Sequence, residues 1–261
     1  MRDAFADLLL GSRCLGCGRP GRPICAPCLR SLSDRAKVCW PTPTPPGLAT
    51  PWACGDFSGL RRDLIIALKE RGTLGLARPL GTHLAWAVSA ALGSAVPPDG
   101  WAAGAPQPWP DIWPDIWPDI WLVPVPSRWL TMRRRGHDPT FALTRRARSV
   151  LLRDPDLGGR IRVAPVLVVR PGGADQAGLG AADRAHNVDG SMYVSTPRLR
   201  RCLLTTERPV LAVVCDDVLT TGATAREAQR ALEVVGVRVS GVATVAATVR
   251  RTVLSPGAWR G

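Results

Sequence analysis

The sequence predicts an α/β fold, a parallel sheet flanked by helices, with a small cysteine-rich unit ahead of it. Two observations carry that prediction. In the second half of the chain, short apolar runs alternate with helical patterns, the layout of parallel strands joined by crossover helices. Near the start, Cys14-Leu-Gly-Cys17 and Cys25-Ala-Pro-Cys28 follow one another in a segment too short to bury a core of its own. With 261 residues of which 46% are hydrophobic, the chain has ample material for a core and is no disordered polyelectrolyte.

Taken in chain order, the two C-x-x-C pairs let Cys14, Cys17, Cys25 and Cys28 converge on one tetrahedral ion, and zinc suits four thiolates. Cys39 and Cys54 do not repeat that spacing and read as core or surface thiols. Residues 41–51 are proline-rich, cannot be helical, and read as an extended spacer. The division expected is therefore a zinc knuckle and linker over residues 1–50, then one α/β domain over 51–261. Apolar spacing through Leu60, Leu64, Ile65 and Leu68 predicts a helix ending near Gly72, and a second should cover residues 77–92.

The composition then breaks. Residues 96–121 read as an insertion in which Trp-Pro-Asp-Ile is written three times, from Trp109, Trp113 and Trp117. Proline at every fourth position excludes a helix interior and a central strand. Tryptophans at this spacing suggest a stacking platform for single-stranded nucleic acid, but the Asp between them favours tandem duplication in a surface loop. Strands are expected at Leu122 to Pro126, Val163 to Val169, Val210 to Cys215 and Ser240 to Val249. The polar, glycine-rich residues 171–191 cannot be a core element and read as a long functional loop.

Charge narrows the partners. Lys+Arg 34 against Asp+Glu 21 leave a formal net charge of +13, and every cation except Lys37 and Lys69 is an arginine. Planar guanidinium groups grip phosphate bidentately, so an acidic partner is favoured, nucleic acid or a phosphorylated small molecule. The most apolar stretch, His83 to Val96, is shorter than the roughly 20 residues that span a bilayer, and the start lacks a secretory pattern. The expected location is the cytoplasm.

The most informative segment is Val210-Leu-Ala-Val-Val-Cys-Asp216-Asp217-Val-Leu-Thr220-Thr221-Gly222-Ala223-Thr224. An apolar strand leads into two adjacent acids, a loop of small residues and a helix whose apolar face is Ala225, Ala228, Leu232 and Val235. Thr224 and Glu227 are spaced as a capping box, and Gly236 stops the helix. Ligands of open parallel sheets bind at this end of the strands. The loop N–H groups, the helix N-terminus and the threonine hydroxyls suit a phosphate, while the paired carboxylates suit a vicinal diol. A ribose 5-phosphate meets both demands. A Walker B reading is weakened by the lack of a P-loop Gly-x-x-x-x-Gly-Lys elsewhere.

This run resembles the phosphoribosyl-pyrophosphate (PRPP) signature of type I phosphoribosyltransferases. That resemblance implies that Asp216 and Asp217 hold the ribose hydroxyls and that Thr220, Thr221, Gly222, Ala223 and Thr224 hold the 5′-phosphate. Together with the cysteine pairs, Val123-Pro-Val-Pro-Ser127, Arg133-Arg-Arg-Gly-His-Asp138 and Asp175-Gln-Ala-Gly-Leu179 with Arg184 and Asn187, the chain resembles the ComF family of competence-associated phosphoribosyltransferase-like proteins. The family implies a zinc ribbon on a type I phosphoribosyltransferase fold and a role in DNA uptake. It implies pyrophosphate contacts from Ser127, Arg128 and the Arg133 to Arg135 run, a Lys-x-x-Gly turn at Lys69 to Gly72, and a mobile hood over residues 171–191. Arg184 and Asn187 would close that hood, with His137 and His186 nearby. Many relatives carry Arg-Gly-Phe-Asn-Gln where this chain has Arg135-Gly-His137-Asp138-Pro139, so the acceptor is not carried over.

Three functional classes are therefore expected to compete: a PRPP-dependent transferase using Mg²⁺ held by PRPP itself and water, an accessory protein handling single-stranded DNA, and a zinc-ribbon module docking on a competence helicase or channel.

Overall fold

The structure is a computed structural model, described over residues 12–32, 35–93, 118–127, 138–154, 157, 159–170 and 190–248. The strands in chain order are β1 (Lys37–Val38), β2 (Pro51–Ala53), β3 (Asp119–Pro124), β4 (Ile161–Val163), β5 (Leu167–Val169), β6 (Met192–Val194), β7 (Val210–Leu219) and β8 (Arg238–Ala247). The α-helices are α1 (Ala26–Arg30), α2 (Gly59–Glu70), α3 (Ala77–Gly93), α4 (Pro139–Leu151), α5 (Thr196–Leu203) and α6 (Ala223–Glu233). Six strands make the main sheet in the order β1-β2-β8-β7-β3-β4, and all neighbours are parallel except the antiparallel pair β1 and β2.

Burial explains the layers. The apolar residues Ile120 to Val123 and Leu211 to Cys215 are buried throughout, as central parallel strands covered on both faces must be. One face carries α2, α3 and α4, whose Leu64, Leu68, Leu80, Leu84 and Leu143 have no exposed surface. Each such leucine contributes about 1.5–3 kcal/mol, so this layer is the main anchor of the fold. Gly81 lets α4 come close, since a Cβ there would run into the Cβ of Arg146. The other face carries α6, packed through Ala225, Ala228 and Leu232 with Trp121, Val123 and Val214. His83, which interrupts the apolar stretch, is buried with its Nδ1 2.8 Å from Nη1 of the equally buried Arg61.

Several expected elements differ in detail. β3 starts at Asp119, inside the third Trp-Pro-Asp-Ile copy, and not at Leu122. The ladder survives because Pro118 lies just outside the strand, while the Asp119 N–H donates to Pro209 O at 2.8 Å. The first two copies lie outside the described residues. The run from Val163 to Val169 is broken after Val163: β4 joins the main sheet, whereas β5 pairs antiparallel with β6 in a separate ribbon. Pro165 between them has no N–H to offer a continuing ladder. Of the long loop expected over residues 171–191, residues 171–189 lie outside the described residues, and the flanking Arg170 N–H donates to Ser191 O at 2.8 Å.

The capping box is a correction. α6 begins at Ala223, and its N-cap is Gly222 in the left-handed region at φ 76°, with no side-chain cap. Thr224 is already inside the first turn, and the Glu227 carboxylate is used elsewhere. Its Oε1 accepts the Met192 N–H at 2.8 Å, and its Oε2 lies 2.6 Å from Arg230 Nε. That contact ties the β6 ribbon to α6.

The proline-rich segment is also no free spacer. Leu48 is buried, Gln229 accepts from Ala49 N at 2.8 Å and donates to Gly47 O at 2.9 Å, and Arg226 Nε donates to Pro46 O at 3.0 Å. Residues 41–49 thus lie as a strap across the first turns of α6. No helix among the described residues is long and apolar enough to cross a membrane.

Candidate functional site

Two sites stand out, a cysteine cluster and a crevice at the end of the sheet. In the first, the hairpin closed by the Arg13 and Pro20 bridge brings Cys14 and Cys17 to Cys25 and Cys28, and all four sulfurs lie within 4.8 Å of one another. Cys14 and Cys17 are each 3.6 Å from Cys25. Zinc–sulfur bonds of about 2.3 Å in a tetrahedron put sulfurs about 3.8 Å apart, so the four cysteines can hold one structural zinc ion. Burial pushes the Cys14 thiol up, yet backbone N–H groups of Cys25, Cys17 and Gly16 outweigh it and hold it at about 6. Hydrogen bonding to Cys25, then burial, pushes Cys28 up to about 12, the mark of crowded sulfurs that a cation would relieve. Leu15, Ile24 and Leu32 pack on the main core, which fixes the knuckle to the domain. Replacing Cys14 and Cys17 by serine is expected to remove one zinc per chain, read by metal analysis. Amide exchange should then show residues 12–32 losing protection while β7 and β8 keep theirs.

The second site follows from topology. From β3 the chain crosses through α4 to β4 on one side, and from β7 it crosses through α6 to β8 on the other. Adjacent β3 and β7 are therefore a topological switch point, and the crevice beyond their carboxyl ends is where such sheets bind ligands. The paired acids lie here. β7 runs on past them to Leu219, so Asp216 and Asp217 are strand residues, with Asp216 in register with Thr244 of β8.

Their surroundings differ. Asp217 is buried and faces α2, where Lys69 Nζ lies 3.0 Å from its Oδ1 and 2.8 Å from its Oδ2, although Oδ2 receives no well-directed hydrogen bond. Lys69 is thus the residue of the Lys69 to Gly72 turn that reaches the site, while Arg71 caps α2 and is exposed. Asp216 is only partly exposed, and its Oδ1 accepts the Asp217 N–H at 2.8 Å. Burial, then the neighbouring Asp217 charge, pushes its carboxyl up to about 8, with Lys69 pulling the other way.

A third acid belongs to the site. Asp138 caps α4, accepting the Phe141 N–H at 3.0 Å, and the backbone and hydroxyl of Ser127 also bond to it. Burial raises its carboxyl above the usual range, these hydrogen bonds oppose the shift, and its charge reaches Asp216. The sequence marked Asp138 only as a departure from the family run. An Asp directly before Pro139 is the signal that could have placed it as the cap of a helix.

Residues 220–224 run from the end of β7 into the first turn of α6 and are held in an unexpected way. Thr220 and Thr221 are exposed, Gly222 is buried, and the Ala223 N–H has only the Thr221 hydroxyl at 3.4 Å. First-turn N–H groups have no intrahelical acceptor, and here no side-chain cap replaces one. A Cβ on Gly222 would lie 3.0 Å from Pro41 Cγ and 3.1 Å from Leu48 Cδ2, so the strap closes one wall of the loop. The crevice thus brings together Ser127, Asp138, Asp216, Asp217, Lys69 and residues 220–224. Arg128, Arg133, Arg134, Arg135, His137, Arg184, His186 and Asn187 lie outside the described residues.

A scan against protein-family models finds no match to this chain, and a search of curated proteins finds none.

Proposed function

We propose that the chain is a phosphoribosyltransferase-like protein of the ComF type that binds PRPP, with Mg²⁺, in the crevice between β3 and β7. The observation that carries the reading is the pairing of adjacent acids with an uncapped helix N-terminus, Gly222 leading it, at the switch point of a parallel sheet. The first turn of α6 and the hydroxyls of Thr220, Thr221 and Thr224 are donors for a 5′-phosphate. Asp216 and Asp217 are acceptors for the ribose hydroxyls, Ser127 is a neighbouring donor for the pyrophosphate, and the family resemblance assigns Arg128 and Arg135 to the same group and Arg184 to the hood. The crevice carboxylates are chemically suited to a cation arriving with the ligand. Bound there, magnesium supplies positive charge that stabilises the departing pyrophosphate.

The reaction that fits is displacement of pyrophosphate at the anomeric carbon by a nitrogen nucleophile. Asp216 and Asp217 hold the ribose as its ring gains oxocarbenium character. Lys69, with its Nζ 2.8 Å from Asp217 Oδ2, orients Asp217 for that work. The hood would exclude water, which otherwise captures the activated ribose.

Calorimetric titration with PRPP and Mg²⁺ tests the reading before any acceptor is known. Binding near 1:1, lost by tenfold or more (about 1.4 kcal/mol) in Asp216→Ala/Asp217→Ala, is the expected result. Equal binding by that variant, or none by the parent, would overturn it.

The net charge of +13 favours a second reading, a non-catalytic accessory that handles single-stranded DNA. It expects oligonucleotide binding whose log affinity falls steeply with log salt. No binding at low salt would remove it.

A further inference from the structure

A cavity of about 570 Å³ opens at the far edge of the main sheet, between β4, α4 and α5. None of the crevice residues lines it. Its charged lining consists of four arginines, Arg148, Arg162, Arg198 and Arg201, and the lining includes no carboxylate and no aromatic ring.

Three of these side chains are fixed by neutral partners. Arg148 Nε donates to Ile161 O at 3.0 Å, Arg198 Nη1 donates to Pro165 O at 3.2 Å, and Arg162 Nη1 donates to the Thr205 carbonyl and hydroxyl. Carbonyl acceptors orient a guanidinium without cancelling its charge. Among the described residues, Asp119 is the one carboxylate within ion-pair distance of any of the four, at 3.7 Å from Arg162 Nη2. A solvated run of arginines spreads along a surface, whereas these come from a strand and two helices and converge on one concavity. Holding four like charges together with one acid at 3.7 Å is unfavourable unless an anion joins them.

We infer that this cavity is a second ligand site, for a small molecule carrying several ionised phosphates, such as a nucleoside polyphosphate or inorganic tripolyphosphate. Its volume lies within the roughly 300–1,000 Å³ of small-ligand pockets. Guanidinium forks match phosphate oxygens bidentately. A single-stranded nucleic acid is disfavoured because it requires an aromatic stacking platform and an extended groove, and the lining has neither. With no ring to read a base, recognition rests on the phosphates.

The test is titration of the zinc-loaded full chain with inorganic tripolyphosphate. Arg198→Glu/Arg201→Glu is expected to weaken binding by about tenfold or more. Arg30→Glu/Arg78→Glu, an equal charge change at exposed positions elsewhere, should change it by less than about twofold. Equal losses in both variants would reduce the effect to net charge and overturn the site, as would unchanged binding in the first. If the first variant does not fold, amide exchange of the parent decides: slowing over residues 196–205 on adding tripolyphosphate supports the site, and no slowing overturns it. An oligothymidylate that displaces tripolyphosphate more tightly per phosphate would overturn the small-molecule assignment.

Discussion

Gly222→Val is expected to lower stability by about 2–5 kcal/mol and to abolish PRPP binding, the largest single effect that the crevice offers. Two independent terms add. Left-handed backbone at φ 76° costs a residue with a Cβ about 1–2 kcal/mol. The new side chain also meets Pro41 Cγ and Leu48 Cδ2 at about van der Waals overlap, 3.0 and 3.1 Å from the Cβ alone, and overpacking of this kind costs about 1–3 kcal/mol. The melting temperature should fall by roughly 10 °C. Leu48→Ala makes room for the clash but not for the backbone, so the double variant Leu48→Ala/Gly222→Val should show a positive coupling relative to its singles. An unchanged melting temperature in Gly222→Val would mean that the strap is not seated against the loop.

The second large effect is a split between neighbouring acids. Asp217→Asn removes the buried partner of Lys69 and should cost about 1–3 kcal/mol near neutral pH, between the values for exposed and for fully buried pairs because Lys69 is a third exposed. Asp216→Asn should act in the opposite sense. Its carboxyl titrates near 8 in the folded chain, against an unfolded value near 3.8. Between those values the folded state keeps a proton that the unfolded state has released, so stability falls as pH rises from about 4 to about 8. Asparagine has no proton to lose. The variant should therefore match the parent near pH 4 and exceed its melting temperature increasingly up to pH 8, then hold the gain. Melting scans of both variants over pH 4–9 check this, and a gain from Asp216→Asn that shrank with pH would refute it. The same shift bears on ligand binding. Under the proposed function a cation arriving with PRPP would favour ionised Asp216, so binding near pH 7 should release a proton, measurable as a buffer-dependent calorimetric heat.

Much of this was legible in the sequence because short-range rules governed it. C-x-x-C spacing placed four thiols, since two residues between ligands suffice to turn both sulfurs inward. The apolar run before Asp216 is the continuous pattern of a strand buried on both faces, and the helical face after Gly222 follows from the 3.6-residue period. The helix over residues 77–92 was expected and found almost to the residue, as its apolar face is long and its ends fall at natural breaks.

What failed, failed where a distant partner decided. Thr224 and Glu227 have the spacing of a capping box, but Met192 and Arg230 compete for that carboxylate and win. Residues 41–49 have the composition of a spacer, yet the side chains of Arg226 and Gln229, some 180 positions away, hold them down. Trp-Pro-Asp-Ile reads as a breaker in every copy, but the last copy is pulled into β3 because Pro209 O supplies its first hydrogen bond. Sequence alone thus determined the chemistry available to this protein: four thiols for a metal, two adjacent acids, a loop of small residues before a helix, and an excess of arginine. Tertiary structure alone decided which groups meet. It set Lys69 against Asp217 across 148 positions, put Asp138 and Ser127 beside Asp216, and gathered four arginines around one cavity, because charge and packing act through space and not along the chain.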